Sequence, residues 1–313
     1  MTHHQQILDK KELNELEKIS ALRGIGSIIL TWSLIVFSFG LVYIWPNFIT
    51  ITIAIILIGG RQLALGILMH EAAHNTLLPK IYGKDLISRW LICAPLAFDL
   101  RSYREEHLNH HRYLGTNKDP DTPLTKPYPT TKRKLLKRFI RDISGQTALT
   151  RIIGIYYMAT GHIAYTSNGN IQRLGKPSKS KALKNLTKNL YPTIVFNLIL
   201  FAILSMFEPS LYLLWLGSYM TTFSLFLRIR SIAEHAGLPN IEDQFFNARN
   251  LSAGILERLT IAPHGVNYHL DHHLFMQIPH YHLSKLHKAL NDKVENRVSD
   301  SYSQMLATVI KET

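Results

Sequence analysis

Residues 49–74 read ITITIAIILIGGRQLALGILMHEAAH. A helix needs about 20 predominantly apolar residues to cross a hydrocarbon core, and this run supplies them before ending in two histidines four positions apart. Histidines at i and i+4 lie on one helix face, so both imidazoles can reach a single ion. The fold and the chemistry are therefore read from the same stretch.

Working outward, a second apolar run, 24–45, precedes it, separated by little more than Pro46 and Asn47. A third and a fourth, 190–207 and 211–227, flank Glu208, Pro209 and Ser210. Soluble helices rarely run this apolar on all faces. The expectation is an all-α membrane protein with four transmembrane helices, at about 24–45, 49–69, 190–207 and 211–227, arranged as two hairpins. The short connectors then share one side of the membrane. Residues 1–23, 70–189 and 228–313 share the other. The segment 70–189 carries about 20 Lys and Arg, and the short connectors carry none, so the positive-inside rule makes that side cytoplasmic. The chain reads as a single domain over 1–313, with a cytoplasmic helical cap, in the inner membrane if the source is bacterial.

Arg61 and Gln62 interrupt the second span after Gly59 and Gly60. A charge at that depth costs roughly 3 kcal/mol or more, so it faces the bundle interior. Two readings stand for Arg61: a contact with a polar part of a substrate or a buried carboxylate, and a structural pair or snorkelling. Segment 90–98 is apolar but too short to span. Segment 152–165 suits a helix lying in the interface. Residues 117–129, rich in Pro, Asp and Thr, read as an ordered loop, and 176–188 as a basic stretch against lipid headgroups. The polar start, 1–17, lacks the features of a secretory signal.

The chain has 313 residues and is 46% hydrophobic, yet its mean hydropathy is only +0.02 because apolar and basic stretches are segregated. A formal net charge of +13 raises nucleic acid as a partner. It also suits an anionic membrane surface, and nucleic acid leaves the spans unexplained, so none is expected. The single cysteine, Cys93, excludes an intramolecular disulfide, a cysteine zinc ribbon and an iron–sulfur cluster held by this chain alone.

The unusual count is 16 histidines. His70 and His74 form the first cluster. His107, His110 and His111 form the second, and His269, His272 and His273 the third, both with spacings of three and four that one helix presents together. A lone histidine is by default an ordinary core or surface residue; three clusters, each near a membrane boundary, are hard to reconcile with that default. Eight imidazoles exceed the three or four ligands of one zinc ion and fit two metals with open positions. Ligand type alone admits iron, zinc, copper or nickel. The first cluster is also a literal H-E-x-x-H, which allows a zinc intramembrane protease with Glu71 as general base. That reading leaves two clusters without a role. A non-enzymatic metal or haem carrier is a further rival.

The three clusters, with Tyr103-Arg104 leading into the second, Asp119-Pro120-Asp121 after it, and His272-His273-Leu274-Phe275 followed by Ile278-Pro279 and Tyr281, resemble the membrane-bound fatty acid desaturases and hydroxylases, in particular bacterial members. The resemblance covers nearly the whole chain. One departure is Met276, where many members have proline. The resemblance implies a non-haem di-iron centre that uses O2 and two external electrons to attack an unactivated C–H bond. It adds a ligand just past the fourth span, here His235. The implied iron ligands are then His70, His74, His107, His110, His111, His235, His269, His272 and His273. His264 and Asn267 are weaker candidates for a supporting or water-mediated role. His280, His282 and His287 read as non-ligands, His162 is left open, and His3 and His4 read as polar tail. Glu71, Glu106, Glu234 and Asp271 are candidate acceptors for imidazole N–H groups.

The implied activity is an O2-dependent acyl-lipid desaturase; a hydroxylase acting on a lipid, a carotenoid or a small amphiphile is the alternative. No His-Pro-Gly-Gly haem-binding signature is present in the sequence. Electrons are therefore expected from a separate donor, such as a ferredoxin or a cytochrome. The bilayer and a fatty acyl or other lipid-like substrate complete the expected partners.

Overall fold

Helix α1 (Lys10–Leu16) leads into α2 (Ala21–Ile44) and α3 (Phe48–His74). The structure, a computed structural model, describes residues 8–80, 83–165, 171–238, 247–293 and 300–311; His3 and His4 lie outside the described residues. Ser20 caps α2 and Asn47 caps α3, the latter in a reciprocal capping box with Thr50, which satisfies amide groups otherwise left without partners. From Ile58 to Ala73 nearly every residue of α3 is buried. By contrast Ile29, Leu30, Val36 and Phe37 of α2 are more than half exposed. An apolar side chain exposed on a helix of this length is suited to lipid. α3 is thus the pillar, and the other long helices are its wall.

The chain then forms α4 (Lys84–Ser88), a π turn and a 3-10 turn through Leu96, and α5 (Leu100–Tyr113). The apolar segment 90–98 is this turn region, with Ile92, Cys93 and Leu96 buried. Loop 117–129 contains only the single turn α6 (Thr122–Thr125). Two helices follow, α7 (Lys132–Ile143) and α8 (Gln146–Thr160). The helix expected over 152–165 stops early. Gly161, at φ 84°, is in the left-handed region that commonly ends helices, and residues Ile163–Tyr165 form β1 instead, paired antiparallel with β2 (Ile171–Arg173).

Helix α9 (Lys179–Ser205) holds all but the last two residues of the third apolar run and begins well before it. Its first turns are formed by the basic stretch 179–188. α10 (Tyr212–Met220) and α11 (Thr222–His235) together make the fourth long helix, broken at Thr221 (φ −116°, ψ −85°). α3 and α11 both continue past their apolar runs and carry polar residues to His74 and His235. Among the described residues, four helical stretches, 21–44, 48–74, 179–205 and 209–235, are long and apolar enough to cross a membrane. The remaining α-helices and strands among the described residues are β3 (Leu251–Ser252), α12 (Ile255–Leu259), α13 (His269–Leu274), α14 (Leu283–Asn291), β4 (Asp300–Ser301), which pairs parallel with β3, and α15 (Tyr302–Thr308). Leu8 and Leu16 near α1 pack with Phe275, Ile278, Leu286 and Leu290, so the N-terminal segment closes over the C-terminal one.

Two glycines set how closely α3 is approached. A Cβ at Gly59 would stand 2.1 Å from Thr222 Oγ1, and one at Gly60 would stand 2.3 Å from the Leu259 carbonyl oxygen and 2.9 Å from Thr260 Cα. At Gly60 the obstacle is backbone and cannot swing aside. Gly60→Ala should therefore destabilise the protein by about 1–3 kcal/mol. Gly40→Ala, where a Cβ meets nothing within 4 Å, should be neutral or stabilising by up to about 1 kcal/mol. Thermal unfolding of the two variants in one detergent measures the difference.

Candidate metal centre

The nine histidines named from the sequence come together as two groups. His70, His74, His107, His111 and His272 form one; His110, His235, His269 and His273 form the other; within each group the potential ligand atoms lie within 4.8 Å of one another. The second and third clusters do not enter the site whole. A helix turns about 100° per residue, so i and i+4 diverge by only about 40° while the residue between them points elsewhere. His107 and His111 stay together and His110 joins the opposite group; His269 and His273 stay together and His272 crosses back. His235, ordinary from its own surroundings in the sequence, completes the four-histidine group.

Contacts between helices hold these rings in place. Arg104 of α5 donates to the Ala73 carbonyl at 3.0 Å and to the Ala72 carbonyl at 2.8 Å. The last carbonyls of a helix lack internal partners, and this pairing ties the end of α3 to the helix carrying His107. His235 Nδ1 donates to the Asn247 carbonyl at 2.7 Å, and His110 Nδ1 bonds Asp119 Oδ1 at 2.8 Å. Of the four expected acceptors, Glu71 Oε1 is 3.4 Å from His70 Nδ1 and Glu234 Oε1 is 3.4 Å from His269 Nδ1. Asp271 instead receives His287 Nδ1 at 2.6 Å, so it holds a histidine outside both groups. Glu106 stays on the exposed side of α5. The sequence reading passed over Asp119 as an acceptor; its signal was the Asp-Pro-Asp turn nine residues after His110.

His280, set aside as a non-ligand, donates its backbone N–H to Glu71 Oε2 at 2.9 Å, and Thr76 Oγ1 donates to the same oxygen at 2.8 Å. His264 lies against Thr31 Oγ1 at 2.9 Å and His282 Nδ1 against the Leu16 carbonyl at 2.7 Å. His162 bonds Thr160 Oγ1 at 2.8 Å and belongs to neither group. Asn267 donates to the Leu251 carbonyl at 2.8 Å. Arg61 finds no carboxylate among the described residues; its Nη2 donates to the Arg258 carbonyl at 2.9 Å. Gln62 Nε2 donates to the Trp215 carbonyl at 3.0 Å.

The electrostatics suit a cation. Burial, reinforced by neighbouring imidazoles, holds His107, His111, His269, His272 and His273 well below the ordinary imidazole range, so these rings are neutral and each has one proton. Burial also disfavours charge on His110, but Asp121 and Asp119 outweigh it and raise its proton affinity. The Nε2 atoms of His110 and His235 face each other at 3.2 Å, those of His269 and His235 at 2.8 Å, and those of His273 and His269 at 3.0 Å. His235 has its proton on Nδ1, since it donates to a carbonyl, and so presents a bare Nε2 to both neighbours. In the other group, the buried His70 Nε2 has no hydrogen-bond partner among the described residues. Converging lone pairs that protons cannot all bridge are a donor set for a metal ion. Two adjacent ligands about 2.1 Å from one ion at right angles would stand about 3 Å apart, as these do.

Replacing Asp119 with Asn removes the charge that orients His110. Loss of such a partner typically weakens metal binding about 10–100-fold. The expected result is selective loss of metal from the four-histidine group, read as one of two ions released at lower chelator concentration in metal analysis.

A family model described as fatty acid desaturase matches residues 44–302. The dihydrorhizobitoxine desaturase of Bradyrhizobium elkanii is 26% identical over 244 residues, covering 75% of this chain and 66% of that protein, just under two thirds of its length. The sn-1 oleoyl-lipid 12-desaturase of a Picosynechococcus species is 22% identical over 289 residues, covering 87% of this chain and 78% of that protein.

Proposed function

The chain belongs to the fatty acid desaturase family, a family of oxidoreductases, and from that premise we propose that it is an O2-dependent acyl-lipid desaturase with two iron ions held by the nine histidines. The observation that carries this reading is the division of nine imidazoles, drawn from four regions of the chain, into two adjacent convergent groups. His70, His74, His107, His111 and His272 would hold one ion and His110, His235, His269 and His273 the other. Loaded with iron and supplied with two electrons, such a centre provides dioxygen activation and hydrogen abstraction from an aliphatic chain.

The protein's own residues hold and shield that chemistry. Asp119 and Asn247 fix the ring orientation of His110 and His235. Burial of eight of the nine imidazoles keeps bulk water from the reacting atoms. Glu71 argues against the zinc protease. One of its oxygens accepts from Thr76 and from the His280 backbone, so it is poorly placed as a free general base. Both relatives are named desaturases, which favours desaturation over the hydroxylase chemistry of the same kind of site.

In this reading the helices pair as two hairpins in a cytoplasmic membrane, with the metal groups on the cytoplasmic side. The basic residues of 70–189 support that orientation. Among them Lys132, Arg133, Lys134, Lys137 and Arg141 are exposed on α7, and they suit a separate acidic electron donor.

Expression in a host with a simple lipid profile tests the activity, with mass spectrometry of lipids and polar metabolites. A new double bond in an acyl chain is expected, with about two irons per chain, and His110→Ala should abolish the product. A new hydroxyl would identify the hydroxylase; one zinc per chain and no oxidised product would overturn the proposal. Screening weakens attraction between exposed charges, so reduction by an acidic donor should slow as ionic strength rises. A rate insensitive to salt would remove α7 as its docking surface.

A further inference from the structure

The fate of Arg61 leads away from the metal. Counting along α3 at 1.5 Å per residue, Gly60 and Arg61 stand about 20 Å from Phe48, which is about 10 Å short of the far edge of a hydrocarbon core about 30 Å thick. At that level α3 meets the segment of α12. The Leu259 carbonyl and Thr260 Cα press on Gly60, and Arg61 donates to the Arg258 carbonyl. The tip of this segment is Ile255 and Leu256, which are 78% and 75% exposed. We propose that residues 253–262 form a re-entrant turn immersed in the bilayer, its Ile255–Leu256 tip among lipid tails and its backbone capped from inside by Arg61. This inference rests on the membrane reading of α3, not on the identity of the metal or the reaction.

The turn's hydrogen bonding fits that solvent. Irregular backbone is tolerated at membrane depth only where its polar groups are satisfied by protein. Here Gly254 N–H donates to Glu257 Oε2 at 3.0 Å, Thr260 Oγ1 to the Leu256 carbonyl at 2.6 Å, Arg258 Nε to the Ala253 carbonyl at 3.1 Å, and Thr260 N–H to the Glu257 carbonyl at 3.1 Å. The two charged residues, Glu257 and Arg258, are thus engaged with the turn's own backbone. The long Arg258 stem can carry its head toward the interface, as such side chains do. In water the same tip would be two adjacent bare aliphatic side chains on a surface loop, with nothing among the described residues to cover them.

Cys93 is the chain's single cysteine and is buried. In a Cys93→Ala background, a fluorophore on Leu256→Cys, in lipid nanodiscs, reports its surroundings. The expected result is strong loss of emission with brominated lipid and little loss with aqueous iodide, with the opposite pattern for Lys11→Cys. Iodide quenching equal to that at Lys11 would overturn the proposal. Shielding from both quenchers would also overturn it, showing that protein covers the tip. Hydrogen exchange on the unmodified chain provides a second measurement that needs no variant. Amides 255–260 should exchange as slowly as those of α3 in nanodiscs, and loop-like exchange would overturn the proposal. Arg61→Gln should speed exchange in 255–260 and leave amides at α13 unchanged.

Discussion

Everything in this fold answers to one unfavourable arrangement: nine imidazole lone pairs turned toward two small regions of space. Nothing in that arrangement is attractive by itself. Facing Nε2 atoms at 2.8 to 3.2 Å repel unless a proton or a cation lies between them. The rings must be forced together from outside, and the forcing parts can be identified. α3 is buried along its inner half, so its end cannot tilt away. Arg104 ties that end to α5, and Asp119 and the Asn247 carbonyl grip the far nitrogens of His110 and His235. The N-terminal segment packs on α14 and steadies the elements that follow α13.

The same long helices must also manage polar groups inside an apolar slab. α3 does so at Gly59 to Gln62, four consecutive positions that read as flaws in a span. Gly59 admits Thr222, whose hydroxyl donates to the Ile55 carbonyl at 2.7 Å. Gly60 admits the backbone near Thr260, and Arg61 and Gln62 donate to carbonyls of two different neighbours. Each apparent defect is half of a helix–helix or helix–turn junction. Close approach through small residues and hydrogen bonds across helices are the usual means of packing where the hydrophobic effect gives no preference between protein and lipid.

This explains which features were legible in the sequence. Hydropathy is a one-dimensional property, and it located the four long helices. It does not mark where those helices end, at Lys179, His74 and His235, because a helix continues into polar residues as long as its backbone bonds and its neighbours allow. The histidine spacings were legible for the same reason that a helix is periodic, but that periodicity gives faces, not partners. It grouped His110 with His107 and His111, whereas a 60° difference in direction sends His110 to the other group. His280 and the Arg61–Arg258 contact were not legible, and Asp119 showed only as part of an Asp-Pro-Asp turn, not as a partner of His110. Each joins residues whose relation exists only after the chain has folded, and none belongs to a periodic pattern.

Charge balance sharpens the link between the site and stability. Nine imidazoles bring no negative charge to an ion, yet Glu71, Asp119, Glu234 and Asp271 are all buried beside or within the ligand segments. Burying a carboxylate costs several kcal/mol unless positive charge and hydrogen bonds offset it. Arg230 meets Glu234 at 2.6 Å; Glu71 and Asp119 accept from histidine, hydroxyl and backbone donors, and Asp271 from His287 among its partners. Further positive charge on the ligand side would lower that cost. A divalent cation in each imidazole group would supply it and relieve the lone-pair repulsion at once. Under the proposed function, metal binding and folding would then be coupled, and the carboxylates beside the ligand histidines would be part of what makes the pocket hold its ion.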